Sequence, residues 1–262
     1  MIFNPRLVIR EYGKAPDLTT GLAPDEVHIW HWEPVCPPPE LPGLWNVLDG
    51  GEHQRAQRFH FSKHRDEFVV NRARMRSLLA GYVATSPEQL AFEYSVHGKP
   101  CLRDGGSLRF NLSHTHGRAA LAIVQEREIG IDVEEIRPQC DARRIAERFF
   151  SAQERQALQG LTADKLDRAF FRGWTRKEAY IKAKGEGLSI PLHQFDVTLT
   201  ETQPAMLVGT RPDPEEARRW ILYDLPLCAG YAAALAVAVA PSLGSQSDRA
   251  VSQMTGRQDD KP

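Results

Sequence analysis

The sequence has few cysteines, a nearly balanced charge and no long apolar segment. Its 262 residues include four cysteines, Cys36, Cys101, Cys140 and Cys228, which lie far apart in the chain. No C-x-x-C pair occurs, so neither a zinc knuckle nor a thiol redox motif is indicated. Because scattered cysteines without a disulfide framework are typical of a reducing compartment, we expect a cytoplasmic protein.

The charge balance and the hydropathy exclude several partners. Lys and Arg total 33 against 34 Asp and Glu, so the formal net charge is −1. Bulk electrostatic binding to nucleic acid or to an anionic membrane requires an excess of positive charge, which this sequence lacks. The N-terminus has no uninterrupted apolar segment of the signal-peptide kind. The most apolar run, residues 228–240, is too short to span a bilayer, so we expect neither a nucleic-acid nor a membrane partner.

The chain instead alternates between strand and helix patterns. Period-two alternation and apolar runs predict strands at 27–32, 90–94, 101–102, 108–113, 119–126, 129–136, 195–199, 220–223 and 228–240. Apolar residues at helical spacing predict helices at 52–83, 140–150, 152–161 and 164–184. Residues 1–25 have neither pattern and are expected to be irregular. The tail, residues 242–262, is rich in Ser, Gln, Asp and Gly and is expected to be disordered.

A weak internal repeat suggests how these elements are organised. Each half of the chain offers a helix with basic residues, then a glycine-containing turn, then a strand. The pattern predicts a mixed α/β (α+β) fold of two similar halves, residues 1–127 and 128–241.

The predicted strand at 129–136 carries the first candidate site. Its aliphatic residues alternate with Asp132 and Glu134, so the two acids project from the same face. Two carboxylates side by side repel each other unless a positive group lies between them. A divalent cation that prefers oxygen ligands, Mg²⁺ or Ca²⁺, would satisfy both. Ordinary surface acids on an exposed strand are the simpler alternative.

The predicted helix at 164–184 carries the second candidate site. Trp174, Glu178 and Lys182 follow each other at intervals of four and therefore form one stripe on one face. A carboxylate between a tryptophan and a lysine indicates a partly buried polar site. The alternative is a solvated Glu–Lys pair on a surface helix.

Further polar and basic residues point to a phosphorylated ligand. Asn111 and Ser113 share a strand face with His114 just beyond, and Lys99 lies on a turn between glycine and proline. These groups could bind phosphate, although a structural histidine and an exposed lysine are the simpler alternatives. Arginines at 55, 58, 65 and 72 crowd one helical region, where one or two could clamp an anion. With three carboxylates and two lysines, the set predicts phosphoryl-group transfer on a diphosphate.

Five short motifs, taken together in their order along the chain, resemble those of a known protein family. They are GKPCL at 98–102, FNLSH at 110–114, GIDVE at 130–134, RFFS at 148–151, and WTRKEAYIK at 174–182 followed by GEGL at 185–188. Together they resemble the signature of 4′-phosphopantetheinyl transferases of the surfactin-synthetase-activating (Sfp) type. The similarity covers roughly residues 50 to 200.

The resemblance implies an activity, a fold and a partner. The phosphopantetheine arm of coenzyme A would be transferred to a serine of an apo acyl, peptidyl or aryl carrier domain, and 3′,5′-ADP would leave. Such carriers serve fatty-acid, polyketide or non-ribosomal peptide synthesis, and the sequence does not distinguish them. The resemblance also implies a monomer built as a pseudo-dimer, with the active site at the junction of its halves.

The resemblance further implies roles for single residues. The Mg²⁺ ligands would be Asp132, Glu134 and Glu178, and the catalytic residues Glu178 and Lys182. Glu178 would help to remove the serine proton, directly or through a water, and Lys182 would contact the diphosphate. The residues that hold coenzyme A would be Arg55, Arg72, Lys99, Pro100, Asn111, Ser113, His114, Asp132 and Lys182. Arg55 matches a position that grips the 3′-phosphate, whereas the basic position three residues earlier is Glu52 in this sequence.

Two other classes of protein are compatible with the same residues. One is a catalytically silent protein that binds coenzyme A or a carrier. The other is a Mg²⁺-dependent hydrolase of a nucleotide diphosphate. The presence of all three acids and Lys182 favours the transferase over a silent binder.

Overall fold

A computed structural model describes residues 4–14, 21–138 and 140–240. The N-terminal half contains β1 (Arg6–Glu11), β2 (Glu26–Trp32), α1 (Leu41–Asn46), α2 (Gly50–Gln57), α3 (Ser62–Val83), β3 (Phe92–Tyr94), β4 (Pro100–Leu102), β5 (Leu108–Thr115) and β6 (Arg118–Gln125). The C-terminal half contains β7 (Ile129–Glu135), α4 (Ala142–Phe149), α5 (Ala152–Leu158), α6 (Ala163–Lys184), β8 (Phe195–Val197), β9 (Leu207–Thr210), β10 (Trp220–Asp224) and β11 (Tyr231–Ala238).

The two halves repeat the same order of elements. Apart from β1, each has a strand, two short helices, a helix of 22 residues, a short hairpin and a final antiparallel pair. The main sheets have the orders β1-β2-β6-β5 and β10-β11-β7. Without β1, the order β2-β6-β5 corresponds to β7-β11-β10. The predicted mixed α/β fold of two similar halves is therefore confirmed.

A shared apolar core holds the halves together. Val27 and Ile29 on β2 pack in one cluster with Ile129 and Ile131 on β7 and with Leu235 on β11, and all five are fully buried. Burial of each such side chain contributes roughly 1.5–3 kcal/mol. The apolar face of β7 therefore packs against the N-terminal half.

Two expectations about single elements need correction, and other elements were not predicted. The segment 1–25 is not irregular throughout, because β1 pairs in parallel with β2. The helix expected at 52–83 is two helices, since Phe61 is extended (φ −100°, ψ 131°) immediately before α3. Helix α1 and strand β9 were not predicted. The tail at 242–262 lies outside the described residues, and within them every helix is too short or too polar to cross a membrane.

Candidate active site

Strand β7 presents its two acids as the alternation predicts. Ile131 and Val133 are buried in the shared core, and the intervening Asp132 and Glu134 point to the opposite face. Asp132 is only 3% exposed, so its carboxylate is removed from bulk water. The simpler alternative of ordinary surface acids does not apply to Asp132.

Strand β5 of the N-terminal half lies beside β7 and bonds to it through side chains. Asn111 Oδ1 accepts the main-chain N–H of Ile131 at 2.9 Å, and Ser113 Oγ donates to Asp132 Oδ1 at 2.9 Å. Two residues further along β5, Thr115 Oγ1 donates to Glu134 Oε2 at 3.1 Å. These bonds connect the halves at the acid pair, and the contact seen for Asn111 is structural.

Helix α6 lies close to β7 because Gly130 has no side chain. A Cβ atom at Gly130 would be 2.1 Å from the carbonyl oxygen of Ala179 and 2.3 Å from the nitrogen of Ala183. The helix continues to Gly185, whose positive φ of 73° ends it. This close approach brings the last turns of α6, with Glu178 and Lys182, to the acids of β7.

Lys182 joins α6 to both neighbouring strands. Its Nζ lies 2.5 Å from Asp132 Oδ1 and 2.9 Å from Ser113 Oγ. The other oxygen of Asp132, Oδ2, is buried and has no hydrogen-bond partner. A buried carboxylate oxygen without a partner costs on the order of 1–3 kcal/mol, so this atom favours a positively charged ligand.

The three acids influence one another electrostatically. Burial raises the pKa of Glu178 to about 7; the charges of Asp132 and Glu134 add to this rise and Lys182 opposes it. Burial and the charge of Asp132 likewise raise the pKa of Glu134. Within the described ranges, however, no three His, Cys, Asp or Glu side chains form a ready metal-binding cluster. Asp132, Glu134 and Glu178 lie near one another, and their carboxylates would have to move closer together to bind one cation.

The raised pKa of Glu178 predicts a pH-dependent stability of the metal-free protein. Between the ordinary value of 4.5 and about 7, the unfolded chain loses this proton while the folded chain keeps it. Stability should therefore fall as pH rises through this window and level off above it, by about 3 kcal/mol from this group. Urea unfolding in EDTA should give a flatter pH profile for Glu178→Gln. Equal slopes for the two proteins would refute the shifted pKa.

His114 and Arg55 form the basic side of the site. His114 is an exposed residue near the end of β5. Partial desolvation by the protein lowers the pKa of His114, and the charges of Lys182 and Arg55 lower it further. Arg55 is an exposed residue of α2 that lies over the ring of Phe68. Positive charge from α2 of one half and from α6 of the other therefore acts on His114.

Arg72 is held within the N-terminal half. Its guanidinium forms an ion pair with Glu52 and lies over the ring of Phe92. Glu52 also accepts from Arg76 Nε at 2.6 Å and completes a capping box with Asp49 at the start of α2. The acid at position 52 thus has a structural role, and the assignment of Arg72 to coenzyme A stays a prediction.

Lys99 and Pro100 lie where the turn of the β3–β4 hairpin leads into β4. Pro100 begins β4 and is half-buried. Lys99 Nζ donates to Glu128 Oε2 and to the carbonyl oxygen of Ala183, both at 2.7 Å. The assignment of Pro100 and Lys99 to coenzyme A stays a prediction.

Sequence reasoning missed several residues around the site. Thr115 follows Asn111 and Ser113 at the same strand spacing, so the alternation could have identified it. The steric role of Gly130 and the contact of Lys99 with Glu128 depend on pairings distant in sequence. No local pattern signals them.

Comparison with known proteins identifies the class of enzyme. Residues 30–126 match the model of the N-terminal part of a 4′-phosphopantetheinyl transferase, and residues 128–236 match that of the 4′-phosphopantetheinyl transferase superfamily. The 4′-phosphopantetheinyl transferase HetI of Nostoc sp. is 40% identical over 228 residues, which cover 86% of this chain and 92% of that protein.

Two further relatives agree with this assignment. A putative 4′-phosphopantetheinyl transferase of Synechocystis sp. is 34% identical over 77% of this chain and 80% of its own length. The 4′-phosphopantetheinyl transferase Sfp of Bacillus subtilis is 31% identical over 56% of this chain and 65% of its own length. The chain belongs to the 4′-phosphopantetheinyl transferase superfamily and is an enzyme that transfers phosphopantetheine to carrier proteins.

Proposed function

We propose that this transferase moves the phosphopantetheine arm of coenzyme A to a serine of an apo carrier domain, with Mg²⁺ and with release of 3′,5′-ADP. The main support is the meeting of Asp132, Glu178 and Lys182 with Ser113 across the two halves. The serine oxygen forms a bond to the pantetheine-side phosphorus. The bond from that phosphorus to the oxygen of the ADP leaving group breaks, and the serine proton passes to a base.

The residues of β7 and α6 fit a divalent cation. Asp132 Oδ2 is buried without a partner, and the neighbouring Glu134 and Glu178 are acids whose pKa values burial raises. Asp132, Glu134 and Glu178 would hold Mg²⁺, whose preferred ligands are oxygens. When bound, the ion would neutralise charge on the diphosphate.

The protein's own groups have separate tasks in this proposal. Glu178 would accept the serine proton directly or through a water. Ser113, His114 and Lys182 would hold the diphosphate, and Arg55 would hold the 3′-phosphate.

Because one chain supplies both halves of the site, we also propose a monomer. The free cysteines of the described residues support the cytoplasm as its location.

Lys182→Met should separate a catalytic role from a binding role. The methionine keeps the apolar stem and removes the charge. Charge on the leaving diphosphate grows towards the transition state, so kcat should fall more than KM for coenzyme A rises. Lys165→Met, an exposed change in the first turn of the same helix, is the matched control. A change in KM alone would make Lys182 a binding residue.

Arg55→Ala should weaken coenzyme A more than dephospho-coenzyme A. Only the former carries the 3′-phosphate, and a charged hydrogen bond of this kind is worth roughly 1.5–3 kcal/mol. The corresponding loss in affinity is about tenfold to hundredfold, measured by calorimetry with both ligands. Arg58→Ala, an exposed residue that follows α2, is the control. Equal losses for both ligands would exclude Arg55 from that phosphate.

Intact-mass measurement tests the proposed reaction. The protein is incubated with coenzyme A, Mg²⁺ and several apo carrier domains. A carrier that gains one phosphopantetheine group supports the transferase, and the series reveals the preferred carrier. Cleavage of coenzyme A without a change in carrier mass would indicate a hydrolase. No change in either molecule would indicate a silent binding protein.

A further inference from the structure

Lys99 connects the turn of one half to the two elements that carry the acids. It follows Gly98, whose φ is +82°, and its side chain is only 18% exposed. The ammonium lies 2.7 Å from Glu128 Oε2, immediately before β7, and 2.7 Å from the carbonyl oxygen of Ala183. The ammonium group of Lys99, in the N-terminal half, thus contacts both the residue that precedes β7 and the end of α6.

The contact with Ala183 stabilises the C-terminal end of α6. The last four carbonyls of a helix lack partners within it, and a cation near them is favourable. Ala183 directly follows Lys182, so the bond fixes the backbone next to the proposed catalytic lysine. A Cβ atom at Gly185 would be 3.0 Å from Lys99 Cδ, so the stem of Lys99 also packs on the glycine that ends α6.

The contact with Glu128 fixes the start of β7. Glu128, Gly130 and Asp132 are spaced by two, so they project to the same side of the strand. At Gly130 the backbone of α6 lies where a side chain of β7 would otherwise be. Lys99 therefore joins helix and strand at one side of this contact, and Lys182 and Asp132 join them at the other.

We infer that Lys99 is a positioning residue, which holds α6 against β7 so that Lys182 and Glu178 face Asp132, and that it is not a phosphate ligand. The inference rests on the proposed transfer reaction. The ammonium's charge is already balanced by Glu128, and two of its three N–H groups are used within the protein.

Kinetics of Lys99→Met distinguish the two roles. The methionine keeps the stem that packs on Gly185 and loses both polar contacts. We expect kcat to fall about tenfold or more, since small misplacements of reacting groups are costly, with KM for coenzyme A nearly unchanged. Glu128→Gln should lower kcat in the same way, and the double variant should be no worse than Lys99→Met. A rise in KM with unchanged kcat, or wild-type values for both, would overturn the inference.

Hydrogen exchange tests the same inference without the reaction. The amides at the end of α6 and just beyond it, residues 182–187, should exchange about tenfold faster in Lys99→Met. Those of α3 should keep their wild-type rates, and Lys165→Met should change neither region. Unchanged exchange at 182–187 would overturn the positioning role. An inactive wild-type protein would instead refute the proposed function, while this exchange comparison would still decide the role of Lys99.

Discussion

Replacing Asp132 by alanine should lower kcat/KM for transfer by roughly a hundredfold or more. Asp132 is buried at the centre of the site, where Oδ1 contacts both Ser113 and Lys182 and Oδ2 has no partner. The substitution removes a proposed Mg²⁺ ligand and leaves the charge of Lys182 unbalanced. The diphosphate would then lose the cation that neutralises its developing charge.

A neighbouring acid provides the control for this experiment. Glu135 lies on the same strand, but strand alternation directs it to the opposite face from Asp132. Glu135→Gln should therefore leave kcat/KM nearly unchanged in steady-state assays. Wild-type turnover by Asp132→Ala in EDTA-treated buffer would contradict the role assigned to this carboxylate.

Lys177→Met should reduce the free energy of unfolding by roughly 3–5 kcal/mol. Lys177 and Glu154 are both almost completely buried, and Nζ lies 2.8 Å from Glu154 Oε1. Nζ also donates to the carbonyl oxygens of Leu192 and Phe195, at 2.7 and 2.6 Å. The substitution leaves the buried carboxylate and both carbonyls without this donor.

Urea unfolding at constant pH measures this effect. Lys165→Met, on the exposed start of the same helix, should change the free energy of unfolding by less than about 0.5 kcal/mol. The double variant Lys177→Met/Glu154→Gln should lose less than the sum of the single losses, because the two side chains form one pair. A loss below about 1 kcal/mol for Lys177→Met would show that the buried pair is not required for stability.

The elements that carry the site could be predicted from the sequence because their patterns are long. The alternation around Asp132 and Glu134 predicted β7 and the common face of its acids. The spacing of Trp174, Glu178 and Lys182 predicted α6. Most apolar residues of both elements are buried in the structure, so local periodicity and tertiary packing agree.

Other elements depend on partners that are distant in the chain. Strand β1 is short and partly exposed, and it is stabilised by parallel pairing with β2. The apolar spacing of α2 and α3 continues across Phe61, so periodicity did not reveal the break there. The capping box formed by Asp49 and Glu52 is a local signal that could have placed the start of α2.

The sequence indicates the residue types of the candidate site but not the contacts between its segments. The residue types of Asp132, Glu178 and Lys182 alone indicate a diphosphate and a cation. The bonds of Asn111 to β7 and of Lys99 to α6 join segments that no sequence pattern relates. Residues expected to touch the ligand therefore prove to have contacts within the protein, and a sequence motif cannot separate these two uses.

Cation binding in the presence of coenzyme A tests most directly whether the acids of β7 and α6 form one site. Mn²⁺ can replace Mg²⁺ as a spectroscopic probe, and electron paramagnetic resonance measures the bound fraction. We predict one Mn²⁺ per wild-type chain, and affinity weakened roughly tenfold or more in each of Asp132→Asn, Glu134→Gln and Glu178→Gln. Glu135→Gln should bind as the wild type does. Wild-type affinity in any one of the first three variants would contradict the proposed site.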